Sequence, residues 1–142
     1  MALRMHRIQV WSSEIEDRPG AAAAKLELLA RADVNLEFVF TRPVPGKLDR
    51  VAMFLAPISG PEQAQVAYLA GLAPARDLTM LCVEGSNRVG MGYEIMSRLA
   101  IAGINLRGLS ISSVGDRFAA YLALDSEDSI TQAIQVLANL EA

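Results

Sequence analysis

The sequence predicts an α+β fold made of two tandem βαββα repeats, each an antiparallel sheet with its helices on one face. Three observations predict it: an internal duplication, an element order that repeats with it, and a composition able to fill a core. The duplication emerges when residues 18–36 are laid on residues 88–106. Arg18, Gly20, Leu29, Ala30, Ala32, Asn35 and Leu36 recur as Arg88, Gly90, Leu99, Ala100, Ala102, Asn105 and Leu106, and Val34 becomes Ile104. Roughly one or two identities would arise by chance in such a window. The offset then falls from 70 to 67, and Asp49, Arg50, Ala52, Leu55, Ala56 and Ser59 recur as Asp116, Arg117, Ala119, Leu122, Ala123 and Ser126. The shortening falls in 41–48, which carries Pro43, Pro45 and Gly46 and reads as a loop.

In the first repeat, residues 6–13 alternate as a strand, with Ile8 and Val10 on one face and Gln9 and Trp11 on the other. A turn over 14–20 ends in Pro19 and Gly20, and Pro19 suits a helix start. Residues 21–32 are helical by propensity, with Ala22, Leu26 and Leu29 as an apolar stripe. The β-branched and aromatic residues of 34–41 predict a second strand. A third follows at 50–56, and Pro61 opens a helix that runs to 72. The second repeat runs 78–84, 89–102, 105–112, 118–124 and 127–140. The repeats are bounded at 1–73 and 74–142, with 73–77 as the linker.

This order is ferredoxin-like with one strand missing, because each repeat lacks a closing strand beside its first. The first-strand edges at 6–13 and 78–84 are therefore open, and an open edge invites a partner. They predict that the two repeats, or two chains, join their sheets there, and that the protein is a homodimer.

Composition narrows the function. Hydrophobic residues make up 52% of the 142-residue chain and charged residues 20%, so disorder is not expected. A net charge of -3 and a pI near 5.1 lack the basic footprint of a nucleic-acid partner. No apolar run approaches a membrane span, and the charged start is not followed by a signal-peptide core. Cys82 is the lone cysteine and His6 the lone histidine, so no internal disulfide forms and no metal site is expected. A cytoplasmic setting follows. Cys82 reads as a core residue on the face of Leu78 and Met80, with no histidine in its repeat to activate it. No base, nucleophile or cofactor constellation points to an enzyme.

The segments Asp17-Arg18-Pro19-Gly20 and Ala32-Asp33-Val34-Asn35-Leu36 resemble the signature of ACT domains, and Asn87-Arg88-Val89-Gly90 with Ala102-Gly103-Ile104-Asn105-Leu106 repeats it. The resemblance spans nearly the whole chain, twice, and is to stand-alone tandem ACT proteins. ACT domains are ligand-sensing modules of amino-acid metabolism, attached to enzymes such as aspartate kinase and phosphoglycerate dehydrogenase. The resemblance thus implies a regulatory protein that binds an amino-acid-type small molecule and acts on a partner enzyme or transporter. In serine-sensing members, asparagines in the turn before the first helix and at the start of the second strand hold the ligand. Asn87 and Asn105 match those positions, and Asp17 and Asn35 stand there in the first repeat. A histidine of that site has no match, since Ile15 and Gly85 occupy its place. Either the ligand differs or one repeat alone binds. Val89 also replaces Pro19.

General chemistry supports the same residues. A glycine turn lets helix-start N–H groups meet a carboxylate, which puts Gly20, Gly90 and Gly92 in the candidate site. Arg18 and Arg88 could pair with that carboxylate, and asparagine offers both donor and acceptor. The plainer readings are that Asn35 and Asn105 serve local backbone, that the glycines serve only the turn, and that the arginines are solvated. Two enzyme or binding alternatives fail. Gly90-Met91-Gly92 lacks the third glycine of a dinucleotide turn, where Ile95 stands. Trp11 and Tyr121 do not form the paired aromatics of an RNA-binding sheet. An assembly module without ligand is the remaining alternative.

Overall fold

A computed structural model describes residues 3–140. The chain is α+β, with eight strands in two antiparallel four-stranded sheets and four helices among the described residues. It divides into two compact units. The first is Gln9–Arg76, and the second joins residues up to Ile8 to those from Asp77 onward.

In the first unit the elements are β2 (Trp11–Glu16), α1 (Ala21–Arg31), β3 (Phe38–Pro43), β4 (Arg50–Ala56), α2 (Gly60–Leu69) and the two-residue β5 (Ala73–Pro74). The sheet order is β3-β4-β2-β5. Alternation along β2 sends Trp11 and Ile15 into a core with Leu29 of α1, Met53 and Leu55 of β4, and Ala67 and Leu72. Trp11 meets the Tyr68 ring edge-on at 5.1 Å. Burying each such leucine contributes roughly 1.5–3 kcal/mol.

In the second unit they are β1 (Arg4–Ile8), β6 (Thr79–Ser86), α3 (Met91–Ile101), β7 (Leu106–Val114), β8 (Arg117–Leu124) and α4 (Glu127–Leu137), with sheet order β1-β6-β8-β7. Leu81 and Val83 of β6, Phe118, Leu122 and Leu124 of β8, Ile95 and Leu99 of α3, and Leu137 of α4 form its core. Ser126 caps α4 by accepting the Ser129 N–H at 3.1 Å.

Three expectations from the sequence are corrected. The strand expected over 6–13 is two strands, interrupted at Gln9–Val10, and its halves lie in different sheets. The closing strands are also present. β1 pairs antiparallel with β6, from Arg4 opposite Glu84 to Ile8 opposite Met80. β5, formed from the expected linker, pairs with Trp11 and Ser12 of β2. The first-strand edges expected to be open are thus wholly or partly covered inside each unit, so they no longer motivate a dimer. The outer strands are β1 and β7 in one sheet and β3 and β5 in the other, and β2 is uncovered beyond Ser12. The second strand of the first repeat also starts late, at Phe38 rather than at 34. The Val34 N–H donates to the Leu29 carbonyl at 3.1 Å, so that stretch closes the helix end.

Candidate functional site

The candidate residues sit at the two ends of the first helix of each repeat, and the repeats build those ends from the same backbone bonds. The Asp17 N–H donates to the Asp49 carbonyl at 2.9 Å, and the Asn87 N–H donates to the Asp116 carbonyl at 2.7 Å. Ala21 and Met91 donate to the Arg18 and Arg88 carbonyls, both at 3.3 Å. Val34 and Ile104 donate to the Leu29 and Leu99 carbonyls at 3.1 and 2.9 Å. The duplication therefore extends to the hydrogen bonds that anchor each turn to the following hairpin. Asp49 and Asp116 were visible as a recurring pair in the sequence, without any sign of this anchoring role.

Gly20 and Gly90 are the N-caps of α1 and α3, with φ of 87° and 86°. That left-handed backbone explains the glycines directly. A side chain at either position would point into open space. The helix starts therefore stay uncovered, and the leading N–H groups of a helix favour an anion. Gly92 has a different reason. A Cβ there would lie 3.1 Å from Cδ1 of Ile111, so glycine lets α3 settle against β7.

Both turn arginines have a carboxylate beside them. Arg18 Nε donates to Glu16 at 2.6 Å, and Arg88 pairs with Glu94 in the first turn of α3. Glu94 was not singled out in the sequence, and Ala24 stands in its place in the first repeat. The Arg18–Glu16 pair is exposed and contributes little to stability, whereas the Oε2 atom of Glu94 is buried and has Arg88 as its ion partner.

Asp17, Asn35, Asn87 and Asn105 are all exposed. Among the described residues, the side chains of Asn35, Asn87 and Asn105 make no hydrogen bond. Local backbone does not account for them, because Val34 and Ile104 N–H groups close the helix ends instead. Asn87 and Asn105 are not brought together within the unit. They flank α3, whose 11 residues span about 16 Å. Asp17 and Asn35 flank α1 in the same way. Cys82 is fully buried and His6 is exposed on β1. Among the described residues no cluster of His, Cys, Asp and Glu could hold a metal, and no helix is long and apolar enough to cross a membrane.

No family model matches the sequence, and neither does any curated protein. Solved structures do match. Protein BT0572 from Bacteroides thetaiotaomicron superposes with a TM-score of 0.75 at 10% identity, over 94% of this chain and 88% of that one. The ligand-free regulatory subunit of aspartate kinase from Thermus thermophilus gives 0.66 at 15% identity, over 96% and 95% of the two chains. The fold is shared with these chains and is the tandem ACT-like fold expected from the sequence. Escherichia coli aspartokinase III, solved in complex with aspartate and ADP, carries the same tandem ACT fold within a longer chain. It gives a TM-score of 0.62 at 17% identity, over 96% of this chain and 32% of that one. The named kinase neighbours include both separate regulatory subunits and whole kinases, and this chain spans nearly the full length of the regulatory subunits.

Proposed function

We propose that this protein is a non-catalytic, cytoplasmic regulator that binds a small amino-acid-type ligand between the second repeats of two copies of the chain. The observation that carries the reading is the placement of Asn87 and Asn105 relative to β7. β7 is an edge strand of nine residues, exposed along nearly its whole length. Asn105 immediately precedes it, and the Asn87 turn is tied to Asp116 just beyond its other end. If two β7 strands pair antiparallel about Ser110, Leu106 faces Val114 of the other copy. Asn105 then falls beside the other copy's hairpin and turn. Each end of the paired strands would unite one Asn105 with one Asn87, Gly90 and helix start.

The side chains of β7 suit self-pairing. Leu109 and Ile111, 48% and 42% exposed, would face each other, and Arg107 would face Ser113 with no like-charge conflict. A ligand carboxylate would meet helix-start N–H groups near Gly90, beside the Arg88–Glu94 pair. Its amino group would meet the Asn105 carboxamide. Binding at such an interface would favour one packing of the modules over another, which is how it could act on a partner enzyme or transporter. Aspartate in the aspartokinase III complex belongs to that protein, and it makes aspartate and its relatives the first ligands to screen here.

The experiment is a thermal-shift screen against the proteinogenic amino acids, followed by calorimetric titration of the best one. Asn105→Ala and Asn87→Ala should each weaken binding by the equivalent of roughly 0.5–1.5 kcal/mol per lost hydrogen bond, with the fold intact. Parent-like binding in both variants would remove the site. If β7 pairing persists in sedimentation while no amino acid binds, the exposed β7 edge supports the second reading, an assembly module without ligand.

A further inference from the structure

The two repeats close their sheets to different extents, and the difference leaves a groove in the first unit. In the second unit β1 covers the outer edge of β6 along Met80–Glu84. Leu3, just before β1, is 7% exposed and belongs to the same core as Met91 and Ile95 of α3. In the first unit β5 covers only Trp11 and Ser12 of β2. It cannot begin earlier, because the chain leaves α2 through Gly71 at φ 86° and then buries Leu72 in the core.

The polarity of the uncovered edge follows from two backbone bonds. The Ala75 N–H donates to the Val10 carbonyl at 2.8 Å on the β5 side, and the Asp17 N–H donates to the Asp49 carbonyl at 2.9 Å on the β4 side. Successive residues of a strand address opposite neighbours. Glu14 and Glu16 therefore address the β5 side, beyond the point where β5 ends. Their carbonyls are engaged locally, by the Ser13 hydroxyl at 3.2 Å and the Arg18 N–H at 3.0 Å. Their N–H groups point to the uncovered side.

At that place lies an open cavity of about 280 Å³, walled by Ile15 of β2 and by Ala21, Ala24 and Leu28 of α1. Its charged rim is already paired. Arg18 holds Glu16, Arg50 lies 3.6 Å from Glu14, and Lys25 donates to the Ala70 carbonyl. What remains is a small apolar wall beside two outward N–H groups. At the repeat offset of 70, Glu14 corresponds to Glu84, which faces Arg4, and Ile15 corresponds to Gly85. Continuing that register places Leu3 opposite Gly85, so the second unit fills this same position with a leucine on an extended strand.

We infer that the groove beside β2 accepts an extended segment of a partner protein, added antiparallel to Ser13–Glu16 beyond β5, with one leucine-sized apolar side chain entering the cavity against α1. Backbone pairing supplies the geometry, and the cavity supplies selectivity for an uncharged side chain. This site lies wholly in the first unit, shares no residue with the amino-acid site proposed above and does not depend on it.

The test uses the full chain and a synthetic hexapeptide copying residues 3–8, the strand the molecule itself places in the equivalent position. Amide correlation spectra should show saturable shifts at Glu14, Glu16 and the α1 residues from Ala21 to Leu28. Replacing the peptide's leucine by aspartate should raise the half-saturation concentration at least tenfold. Ala24→Phe, at an exposed helix position that tolerates a larger side chain, should do the same to the parent peptide. Glu14→Pro should abolish binding, with Ala24→Phe as the informative variant if that strand does not form. The inference is overturned if millimolar peptide leaves residues 13–28 unshifted, if shifts fall only on Met80–Glu84 through displacement of β1, or if Ala24→Phe binds as the parent does. It is also overturned if free leucine shifts the same amides as strongly as the peptide, since the groove would then be a small-molecule site.

Discussion

Leu3→Ala tests the assignment of the N-terminal strand to the second unit. Leu3 is 7% exposed and lies in the core that holds Ile95, Leu99 and Leu122. Truncating a buried leucine to alanine costs about 2–5 kcal/mol, depending on how far the cavity collapses. Leu3 lies at the edge of the sheet and near the chain end, where neighbours relax most easily, so the lower end, about 2 kcal/mol, applies. At tenfold per 1.4 kcal/mol, amides that exchange through opening of the second unit should exchange roughly 30-fold faster. Native-state hydrogen exchange reads this residue by residue. The acceleration should be largest at Leu81, Val83 and Leu122, and smaller at Met53 and Leu55 of the first unit. If Met53 and Leu55 accelerate more than Leu81 and Leu122, Leu3 stabilises the first unit and the assignment is wrong.

Gly90→Ala should destabilise by about 1–2 kcal/mol in urea denaturation, because φ of 86° penalises any Cβ while nothing nearby obstructs it. Gly92→Ala should stay within about 1 kcal/mol of the parent, since the gain in helix propensity opposes a 3.1 Å contact with the flexible end of Ile111. Arg7 on β1 donates hydrogen bonds to Glu127 at the start of α4, and this holds the Glu127 carboxyl below the usual carboxylate range. A carboxylate with a lowered folded pKa stabilises above its unfolded value and loses that contribution as pH falls through the folded one. Glu127→Gln should therefore be less stable than the parent at neutral pH, and the gap should narrow as pH falls below the unfolded carboxylate value of about 4.3 in paired denaturation curves.

The repeat, the helices and the central strands were legible because each carries its own periodicity or punctuation. β4 at Arg50–Ala56 matches the expected strand, and α1 ends one residue earlier than expected. The break between β1 and β2 was not legible. Apolar alternation runs through Ile8 and Val10, Trp11 follows directly, and no glycine, proline or asparagine marks a break. β5 was hidden for the opposite reason: two residues, one of them proline, carry no period at all. Each closing strand is specified by the edge it covers rather than by its own residues, and the pairing partner of β1 is more than 70 positions away. For the candidate site, the sequence marked the turns and the asparagines. Its element order put Asn87 and Asn105 at opposite ends of one helix, but it could not show that β7 is a sheet edge or that Glu94 meets Arg88. Those facts depend on which strand forms the edge and on how the helix lies against it.

Differences between the two repeats then indicate where ligand binding should reside. β3 is six residues long and ends in Pro43, which has no N–H to donate to a ladder, whereas β7 is nine residues long without proline. A two-fold pairing of edges is therefore better served by the second repeat. The turns point the same way. Asn87 offers a neutral amide at the mouth of α3, while Asp17 places a carboxylate at the mouth of α1. A ligand carboxylate meeting helix N–H groups would be opposed by Asp17 and accepted by Asn87. Asn87→Asp makes the second turn resemble the first in this respect. It should weaken the best amino-acid ligand more than Asn87→Ala does, because it adds repulsion to the lost hydrogen bond. Asn35→Ala, in the first repeat, should leave affinity unchanged. Calorimetric titration at low and raised salt separates the two terms, since the repulsive part shrinks on screening and the hydrogen-bond part does not. Equal affinities for Asn87→Asp and Asn87→Ala at low salt would show that no ligand carboxylate meets the α3 turn.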